Sequence, residues 1–259
     1  MSLVVTGIQA DLAWEDPATN HERLAPRIRR AVDGGADLVL LPEMFPCGFS
    51  MNTELTGQPV DGPSTAFLVE QASTTGAWVG GSLPERRPGE DRPYNTFVLA
   101  GPNGELHRYA KVHPFTYAGE DEHFAAGEKL VTVDVAGVRC SLFVCFDLRF
   151  ADEFWQLAED TDCYLVPANW PAARREHWTA LLRARAIENQ AYVVGLNRVG
   201  EGRRRDGGAL PYSGDSMIVD PLGRALSQAS QVETTVSATV DPQVVADVRG
   251  RFPFLRDRR

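Results

Sequence analysis

Residues 38–45 read Leu-Val-Leu-Leu-Pro-Glu-Met-Phe, a short apolar run that ends in a proline and a carboxylate. A fully apolar run of this length is typical of a strand that is buried on both faces. Upstream, Leu3–Gln9 predicts another short strand, and His21–Val32 carries apolar residues at helical spacing until Gly34-Gly35 ends it. The three segments predict a β–α–β unit and therefore an α/β fold.

Strands and helices continue to alternate along the chain, but two of the connections are hairpins. Asn103-Gly104 and Ala136-Gly137 each lie between two apolar runs and predict tight turns between antiparallel strands. This mixture favours mixed sheets covered by helices, a layered sandwich, over a barrel or a dinucleotide-binding sheet. The remaining predicted strands are Trp78–Leu83, Thr96–Leu99, Val131–Val135, Val138–Val144, Leu165–Pro167, Tyr192–Leu196, Met217–Val219, Ala225–Ser227 and Thr235–Val240; helices are predicted from Pro63 to about Gly76, over Glu176–Gln190 and from Pro242.

No internal repeat or low-complexity linker divides the sequence, so residues 1–259 are predicted to form a single domain. The proline- and glycine-rich stretches at 84–93 and 200–211 are interpreted as surface loops, and the arginines at 203–205 as part of a solvated loop. With 43% hydrophobic and 24% charged residues, the composition is that of a globular protein.

The bulk properties narrow the choice of partners and cellular location. A net charge of −9 disfavours nucleic acid, because phosphate binding needs a basic excess. No apolar run approaches the roughly 18–20 residues that span a membrane, so no membrane partner is expected. The N-terminus lacks the basic region of a secretory signal. We therefore expect a cytoplasmic protein.

The cysteines and histidines form neither a disulfide framework nor a metal-binding pattern. Cys47, Cys140, Cys145 and Cys163 include no C-x-x-C pair, and the five histidines show no H-E-x-x-H spacing. The glycine-rich fingerprints of dinucleotide-binding and P-loop proteins are also absent. We expect free thiols in a reducing compartment, no metal and no cofactor.

Three polar or reactive residues each lie at the C-terminal end of a predicted strand: Glu43 follows Leu38–Leu41, Lys111 follows Leu106–Ala110, and Cys145 follows Ser141–Val144. The carboxyl ends of strands in layered α/β folds are where functional sites are built. A carboxylate, an ammonium and a thiol together can form a catalytic set. A thiol can attack an amide carbonyl when a buried carboxylate accepts its proton, and an ammonium can stabilise the resulting oxyanion. The backbone N–H of Phe146 could supply a second oxyanion donor.

Taken singly, each of these residues also has a plain structural interpretation. A lone cysteine at a strand end is often a small buried hydrophobe, and a lone Glu or Lys is often a surface charge. Two other functions also remain open. Cys145 could act with His113 or His177 as a Cys–His peptidase, or the chain could be a binding protein without turnover. Arg185 and its neighbours on the long helix favour a structural ion network.

The sequences around the three residues resemble the signature segments of the nitrilase (carbon–nitrogen hydrolase) superfamily, in that family's order. The segments are Leu41-Pro42-Glu43-Met44-Phe45, Tyr109-Ala110-Lys111-Val112-His113 and Val144-Cys145-Phe146-Asp147-Leu148-Arg149-Phe150. Residues 168–190 and the tail Phe252-Pro253-Phe254-Leu255 are most similar to its omega-amidase branch. The resemblance covers essentially the whole chain.

The resemblance implies a four-layer α-β-β-α sandwich that forms a homodimer or larger assembly through helices near the nucleophile. It implies Glu43 as base, Lys111 as oxyanion partner and Cys145 as nucleophile. It also implies a second glutamate after the lysine, for which Glu120 matches better than Glu122 because Gly127 follows at the expected spacing.

The omega-amidase resemblance implies hydrolysis of the terminal amide of 2-oxoglutaramate or 2-oxosuccinamate. A second carboxylate on the substrate needs a cation, and Arg149 and Arg174 are the candidates. Phe115, Tyr117 and Trp170 are candidate pocket walls, with core packing as the alternative for each. The same superfamily also cleaves deaminated glutathione, N-carbamoyl compounds, other amides and nitriles, so the substrate stays open at this point.

Overall fold

A computed structural model describes residues 1–257; Arg258 and Arg259, at the end of the chain, lie outside the described residues. The strands of this part of the chain form two mixed sheets. In chain order they are β1 Leu3–Gln9, β2 Leu38–Leu40, β3 Gln58–Pro59, β4 Trp78–Arg86, β5 Tyr94–Ala100, β6 Leu106–Ala110, β7 Thr132–Val135, β8 Val138–Leu142, β9 Cys163–Ala168, β10 Tyr192–Asn197, β11 Val199–Arg203, β12 Ala209–Val219, β13 Ala225–Ser230 and β14 Thr234–Val240.

The helices are α1 Pro17–Asp33, α2 Thr53–Thr56, α3 Pro63–Thr75, α4 Glu120–His123, α5 Ala151–Gln156, α6 Arg175–Asn189 and α7 Pro242–Arg251. Short 3₁₀ segments include Cys145–Arg149 and Ala172–Arg174. The predicted start of α1 at His21 is four residues late. The Asp16 side chain accepts the Thr19 N–H and Pro17 occupies the first turn, so the helix begins at that cap.

The two sheets pack face to face with helices outside them. The first has the order β14-β1-β2-β4-β5-β6 with β3 beside β4, and the second has the order β11-β12-β10-β9-β8-β7 with β13 beside β12. Helices α1 and α3 pack on the first sheet, α6 packs on β10 and β12, and β1 contacts β10 across the interior. The α-β-β-α sandwich with two mixed sheets is therefore confirmed.

Strand β2 shows why its sequence is apolar throughout. Leu38 and Leu40 belong to the core between the two sheets, while Val39 and Leu41 belong to the core under α1 and α3. Because side chains alternate along a strand, a strand covered on both faces has no polar position. The run therefore stays apolar until Pro42, where the chain leaves the sheet and reaches Glu43.

The interpretation of 200–211 as a loop is wrong. Val199–Arg203 and Ala209–Val219 form an antiparallel hairpin, with Val199 opposite Ser213 and Arg203 opposite Ala209. The arginines and glycines of this hairpin break the alternation of apolar and polar residues that predicts a strand. They are tolerated because the hairpin lies at the edge of the sheet, where polar side chains reach solvent. Strand β4 likewise continues to Arg86, into the stretch interpreted as a loop. Both hairpins predicted at Asn103-Gly104 and Ala136-Gly137 are confirmed.

Candidate active site

Glu43, Lys111 and Cys145 meet at one edge of the sandwich. Glu43 follows β2 and Lys111 follows β6 in the first sheet, and Cys145 follows β8 in the second. Their exposed fractions are 0%, 1% and 7%. The carboxyl ends of strands from both sheets thus bring a carboxylate, an ammonium and a thiol together out of bulk water.

Lys111 is held between two carboxylates. Its Nζ lies 2.9 Å from Glu43 Oε1, and 3.1 and 2.8 Å from the two carboxylate oxygens of Glu120. Burial lowers the pKa of Lys111, but the charges of Glu120 and Glu43 outweigh burial and hold the pKa above its ordinary value. The lysine is therefore a fixed cation at the base of the site.

Glu120 lies where its sequence spacing predicts, fully buried at the start of α4. Beyond Lys111, its Oε2 accepts the Phe115 N–H at 2.6 Å. Burial raises the pKa of Glu120, against the opposing effect of Lys111. Glu122 instead forms an exposed ion pair with Arg205, so of the two candidate glutamates only Glu120 contacts the lysine.

Asn95 is a member of this cluster that the sequence did not indicate. Its Nδ2 donates to Glu43 Oε1 at 2.9 Å and to Glu120 Oε1 at 3.0 Å, and its backbone oxygen accepts the Lys111 N–H. Asn95 lies at the start of β5, and the sequence around it matches no functional motif. The available signal was weak: a polar residue at the edge of a strand otherwise buried on both faces.

Cys145 begins the 3₁₀ segment Cys145–Arg149 with a left-handed backbone, φ 48°. A non-glycine residue in this region is strained, and such strain concentrates at functional sites. Burial and the neighbouring Glu43 carboxylate raise the pKa of the thiol well above its ordinary value, against the opposing charge of Lys111. The next residue, Phe146, has one of the first N–H groups of the segment, which find no acceptor within it.

Asp147 fixes the turn that presents the thiol. Its Oδ2 accepts the Val144 N–H at 2.9 Å and the Tyr109 hydroxyl at 2.8 Å, and its Oδ1 accepts the His113 N–H at 2.9 Å. These bonds tie the nucleophile's turn to the segment around Lys111. Burial raises the pKa of Asp147 to about 6.

A narrow pocket opens beside Cys145, with about 230 Å³ of space including its solvent-open mouth. The Arg149 guanidinium lies 4.7 Å from the Trp170 ring centroid, and that of Arg174 lies 5.4 Å from the Phe115 centroid. Across residues 1–257, neither arginine has a carboxylate within ion-pair distance. The lining residues are Phe115, Cys145, Phe146, Arg149, Asn169, Trp170, Pro171 and Arg174.

Tyr117 is the one predicted pocket residue that the structure places elsewhere. Its side chain is 84% exposed and its ring centroid lies 5.7 Å from that of Phe115. It lies in the 3₁₀ segment Thr116–Ala118, which carries it to the surface behind Phe115. The aromatic wall of the pocket comes from Phe115, Phe146 and Trp170 instead.

Both histidines of the peptidase hypothesis have other partners. His113 Nε2 lies 2.7 Å from Glu153 Oε1, and its ring stacks on Phe150. His177 Nδ1 accepts from Arg149 Nη2 at 3.1 Å. Neither imidazole is hydrogen-bonded to Cys145, which has Glu43 as its neighbouring base.

The other thiols are buried and free, and the described residues show no metal cluster. Cys47, Cys140 and Cys163 are fully buried in the core. Within residues 1–257, no group of three or more His, Cys, Asp and Glu side chains is arranged to hold a metal ion. No helix in the same range combines the length and apolar character needed to cross a bilayer.

A family model described as carbon-nitrogen hydrolase matches residues 4–250. The chain belongs to the carbon–nitrogen hydrolase family. Among curated relatives of this hydrolase, the omega-amidase YafV of Yersinia enterocolitica is 38% identical over 99% of this chain and 96% of its own length. The 2-oxoglutaramate amidase of Bacillus subtilis is 30% identical over 100% of this chain and 98% of its own length.

Solved structures show the same fold. A CN-hydrolase superfamily protein of Xanthomonas campestris, described with an arsenic adduct in its active site, matches with a TM-score of 0.92 and 35% identity, covering 100% of this chain and 98% of its own. An amidase of Nesterenkonia sp. AN1 in complex with acrylamide, a double mutant, matches with a TM-score of 0.84 and 26% identity, covering 99% of this chain and 94% of its own.

Proposed function

We propose that this hydrolase is an omega-amidase, which converts the terminal amide of a 2-oxo acid monoamide such as 2-oxoglutaramate into a carboxylate and ammonia. One observation carries the substrate class. Arg149 and Arg174 stand beside the thiol in a small pocket without carboxylate partners of their own. A substrate carboxylate would pair with them. The omega-amidase and 2-oxoglutaramate amidase relatives support the same substrate.

The reaction begins with attack by the sulfur of Cys145 on the amide carbon. The thiol holds its proton at rest because its pKa is raised, so Glu43 accepts that proton as the sulfur–carbon bond forms. The carbonyl oxygen becomes an oxyanion, stabilised by the Lys111 ammonium and the Phe146 N–H. When the carbon–nitrogen bond breaks, Glu43 returns the proton to the departing ammonia.

A thioester of Cys145 remains after ammonia leaves. Glu43 then takes a proton from water as the water oxygen attacks the thioester carbon. When the carbon–sulfur bond breaks, Glu43 gives that proton to the leaving sulfur and restores the thiol, and the released acid loses its own proton to solvent as a carboxylate. Glu120 holds Lys111 in place through both half-reactions, with Asn95 bridging Glu120 and Glu43. In this proposal the triad is Glu43, Lys111 and Cys145, with Glu120 as the supporting glutamate.

The substrate fits the pocket with its carboxylate on the arginines and its amide at the thiol. Phe115, Phe146 and Trp170 stand around the space beside the thiol, where they would enclose the short carbon chain of the substrate. Tyr117 has no part in this arrangement because it faces solvent.

The test is ammonia release from 2-oxoglutaramate by the purified protein, together with intact-mass analysis of the reaction. We expect turnover, a trapped acyl adduct on Cys145, and near-total loss of activity in Cys145→Ala and Cys145→Ser. Full activity of Cys145→Ala would refute the mechanism. Hydrolysis of propionamide or an N-carbamoyl compound, but not of 2-oxoglutaramate, would refute the substrate while keeping the chemistry.

The same assay separates the two other classes of function. A Cys–His peptidase requires that His113→Ala or His177→Ala abolish turnover, whereas the proposal expects activity to persist in both. A binding protein would release no product from amides, ureides or nitriles, and its Cys145 would not react with iodoacetamide.

We also propose that the chain is a single domain that acts as a cytoplasmic homodimer or larger homo-oligomer, without cofactor. The surface near the nucleophile supports this assembly, since α5 and α6 pack together there and Ile187 on α6 is 54% exposed. Analytical ultracentrifugation should give at least twice the chain mass of 28.4 kDa, and a monomer at micromolar concentration would contradict the assembly.

A further inference from the structure

Tyr212 is a buried tyrosine whose hydroxyl has no partner in the fold. It lies on β12 and is 5% exposed. Across residues 1–257 no group hydrogen-bonds to its hydroxyl. The hydroxyl oxygen is not among the enclosed polar atoms that lack a partner, so the ring is buried while its oxygen still reaches open space. A donor held on a buried ring and left free at its tip is available to a ligand.

The ring of Tyr212 is fixed in place by the hairpin that carries it. The Arg198 guanidinium lies 4.9 Å from the ring centroid, and Arg198 is itself anchored to Asp11 at 2.7 Å. On the other strand, a Cβ at Gly202 would lie 2.9 Å from the ring, so only glycine leaves room for it. The hydroxyl therefore has a defined position and direction.

That position neighbours the proposed active site. The hydroxyl lies within electrostatic reach of the Glu43 carboxylate, the Cys145 thiol and the Arg174 guanidinium. Strand β12 also packs on the 3₁₀ segment Ala172–Arg174, which carries Arg174. Burial raises the pKa of Tyr212, so the hydroxyl keeps its proton and acts as a hydrogen-bond donor.

We propose that Tyr212 donates a hydrogen bond to the 2-oxo oxygen of the substrate and so selects 2-oxo acid monoamides over plain acid monoamides. The inference rests on the proposed omega-amidase function. In 2-oxoglutaramate the oxo group is bonded to the carbon of the carboxylate, at the end of the molecule away from the amide. With the carboxylate on the arginines and the amide at Cys145, a donor that neighbours both Arg174 and the thiol would meet that oxygen.

The test compares Tyr212→Phe with the unaltered protein on two substrates, 2-oxoglutaramate and glutaramate, which lacks the oxo group. The variant keeps the ring on Arg198 and removes a hydroxyl that bonds to nothing in the fold, so the unfolding temperature should not fall. We expect kcat/KM for 2-oxoglutaramate to drop about 10-fold or more while kcat/KM for glutaramate changes less than about twofold. The matched control is Tyr192→Phe. Tyr192 is another buried tyrosine and is the first residue of β10.

The outcomes separate the two proposals. An equal loss on both substrates, or no loss on either, overturns the role of Tyr212 and leaves the omega-amidase function intact. Failure of the unaltered protein to hydrolyse 2-oxoglutaramate, with propionamide still cleaved, overturns the proposed function and the selection by Tyr212 with it. A loss in Tyr192→Phe equal to that in Tyr212→Phe would assign the effect to packing and overturn the inference.

Discussion

Asn169 and Glu43 hold each other by two hydrogen bonds although they lie 126 residues apart. The backbone N–H of Asn169 donates to Glu43 Oε2 at 2.7 Å, and its side-chain Nδ2 donates to the Glu43 backbone oxygen at 2.6 Å. Glu43 follows a strand of the first sheet and Asn169 follows β9 of the second. The orientation of the proposed base thus depends on the two sheets keeping their relative position.

Asn169→Ala should therefore lower kcat because the backbone of Glu43 loses a partner. We expect a fall of about 10-fold in kcat with KM for 2-oxoglutaramate changed less, since misplacing a catalytic group is costly. Circular dichroism corrects for any unfolded fraction, and Gln228→Ala on the exposed face of β13 serves as control. A kcat per folded molecule equal to that of the unaltered protein would contradict the positioning role.

Glu43→Gln should abolish turnover and yet make the thiol more acidic. The Glu43 carboxylate raises the pKa of Cys145, so its neutralisation should lower that pKa. Without a base, amide hydrolysis should fall by about 10²–10⁴-fold. The pH dependence of iodoacetamide alkylation measures the thiol directly, with Glu43→Gln/Cys145→Ser as the unreactive control. A midpoint that stays the same or moves to higher pH would rule out this electrostatic account.

Glu120→Gln and Glu122→Gln form a matched pair, two residues apart. Glu120 contributes to the raised pKa of Lys111 and accepts two of its hydrogen bonds, while Glu122 pairs with Arg205 in solvent. We expect kcat/KM of Glu120→Gln to fall about 100-fold because the oxyanion partner is loosened. Glu122→Gln should keep its activity within about twofold. Equal losses of kcat/KM in the two variants would contradict a specific role for Glu120 in holding Lys111.

Arg149→Met and Arg174→Met should weaken binding of acidic substrates alone. Each removes a guanidinium that would pair with the substrate carboxylate, so KM for 2-oxoglutaramate should rise roughly 10- to 100-fold. Propionamide has no carboxylate, and its kcat/KM should change little. Arg29→Met, an exposed arginine on α1, is the control. An equal loss of activity on both substrates would mean that the arginines act by packing on Trp170 and Phe115 and do not bind the substrate carboxylate.

The sequence predicted the residues that follow strands, and the family resemblance added Glu120, but neither pointed to Asn95 or Tyr212. Glu43 and Cys145 each follow an apolar run, which gives the strand end directly, and Lys111 follows the short strand Leu106–Ala110 after the Asn103-Gly104 turn. Asn95 had no such signal, because its role depends on two glutamates brought together by folding. Tyr212 was missed for a different reason. The stretch before it, 200–211, was interpreted as a loop, so the sequence did not place Tyr212 on a strand that leads to the site.

Asp147 gives a test of the turn itself, through the pH dependence of stability. Burial raises its pKa from the ordinary 3.8 to about 6 in the folded protein. Between these values the folded state keeps a proton that the unfolded chain releases. Stability from this group is therefore fully present below pH 3.8 and is lost as the pH rises through about 6. A shift of about two units corresponds to about 3 kcal/mol in the free energy of unfolding.

Asp147→Asn removes this titration at the cost of one hydrogen-bond acceptor, a loss that does not vary with pH. Urea unfolding at pH 4 and pH 7 should therefore show the stability of the unaltered protein, relative to the variant, falling by about 2 kcal/mol as the pH rises. Asp152→Asn, on the exposed face of α5, should show no such change. If the stability of the unaltered protein relative to Asp147→Asn stays constant or grows as the pH rises, folding does not disfavour the ionised form of Asp147. The three hydrogen bonds it accepts from Val144, Tyr109 and His113 would then have fully compensated its burial.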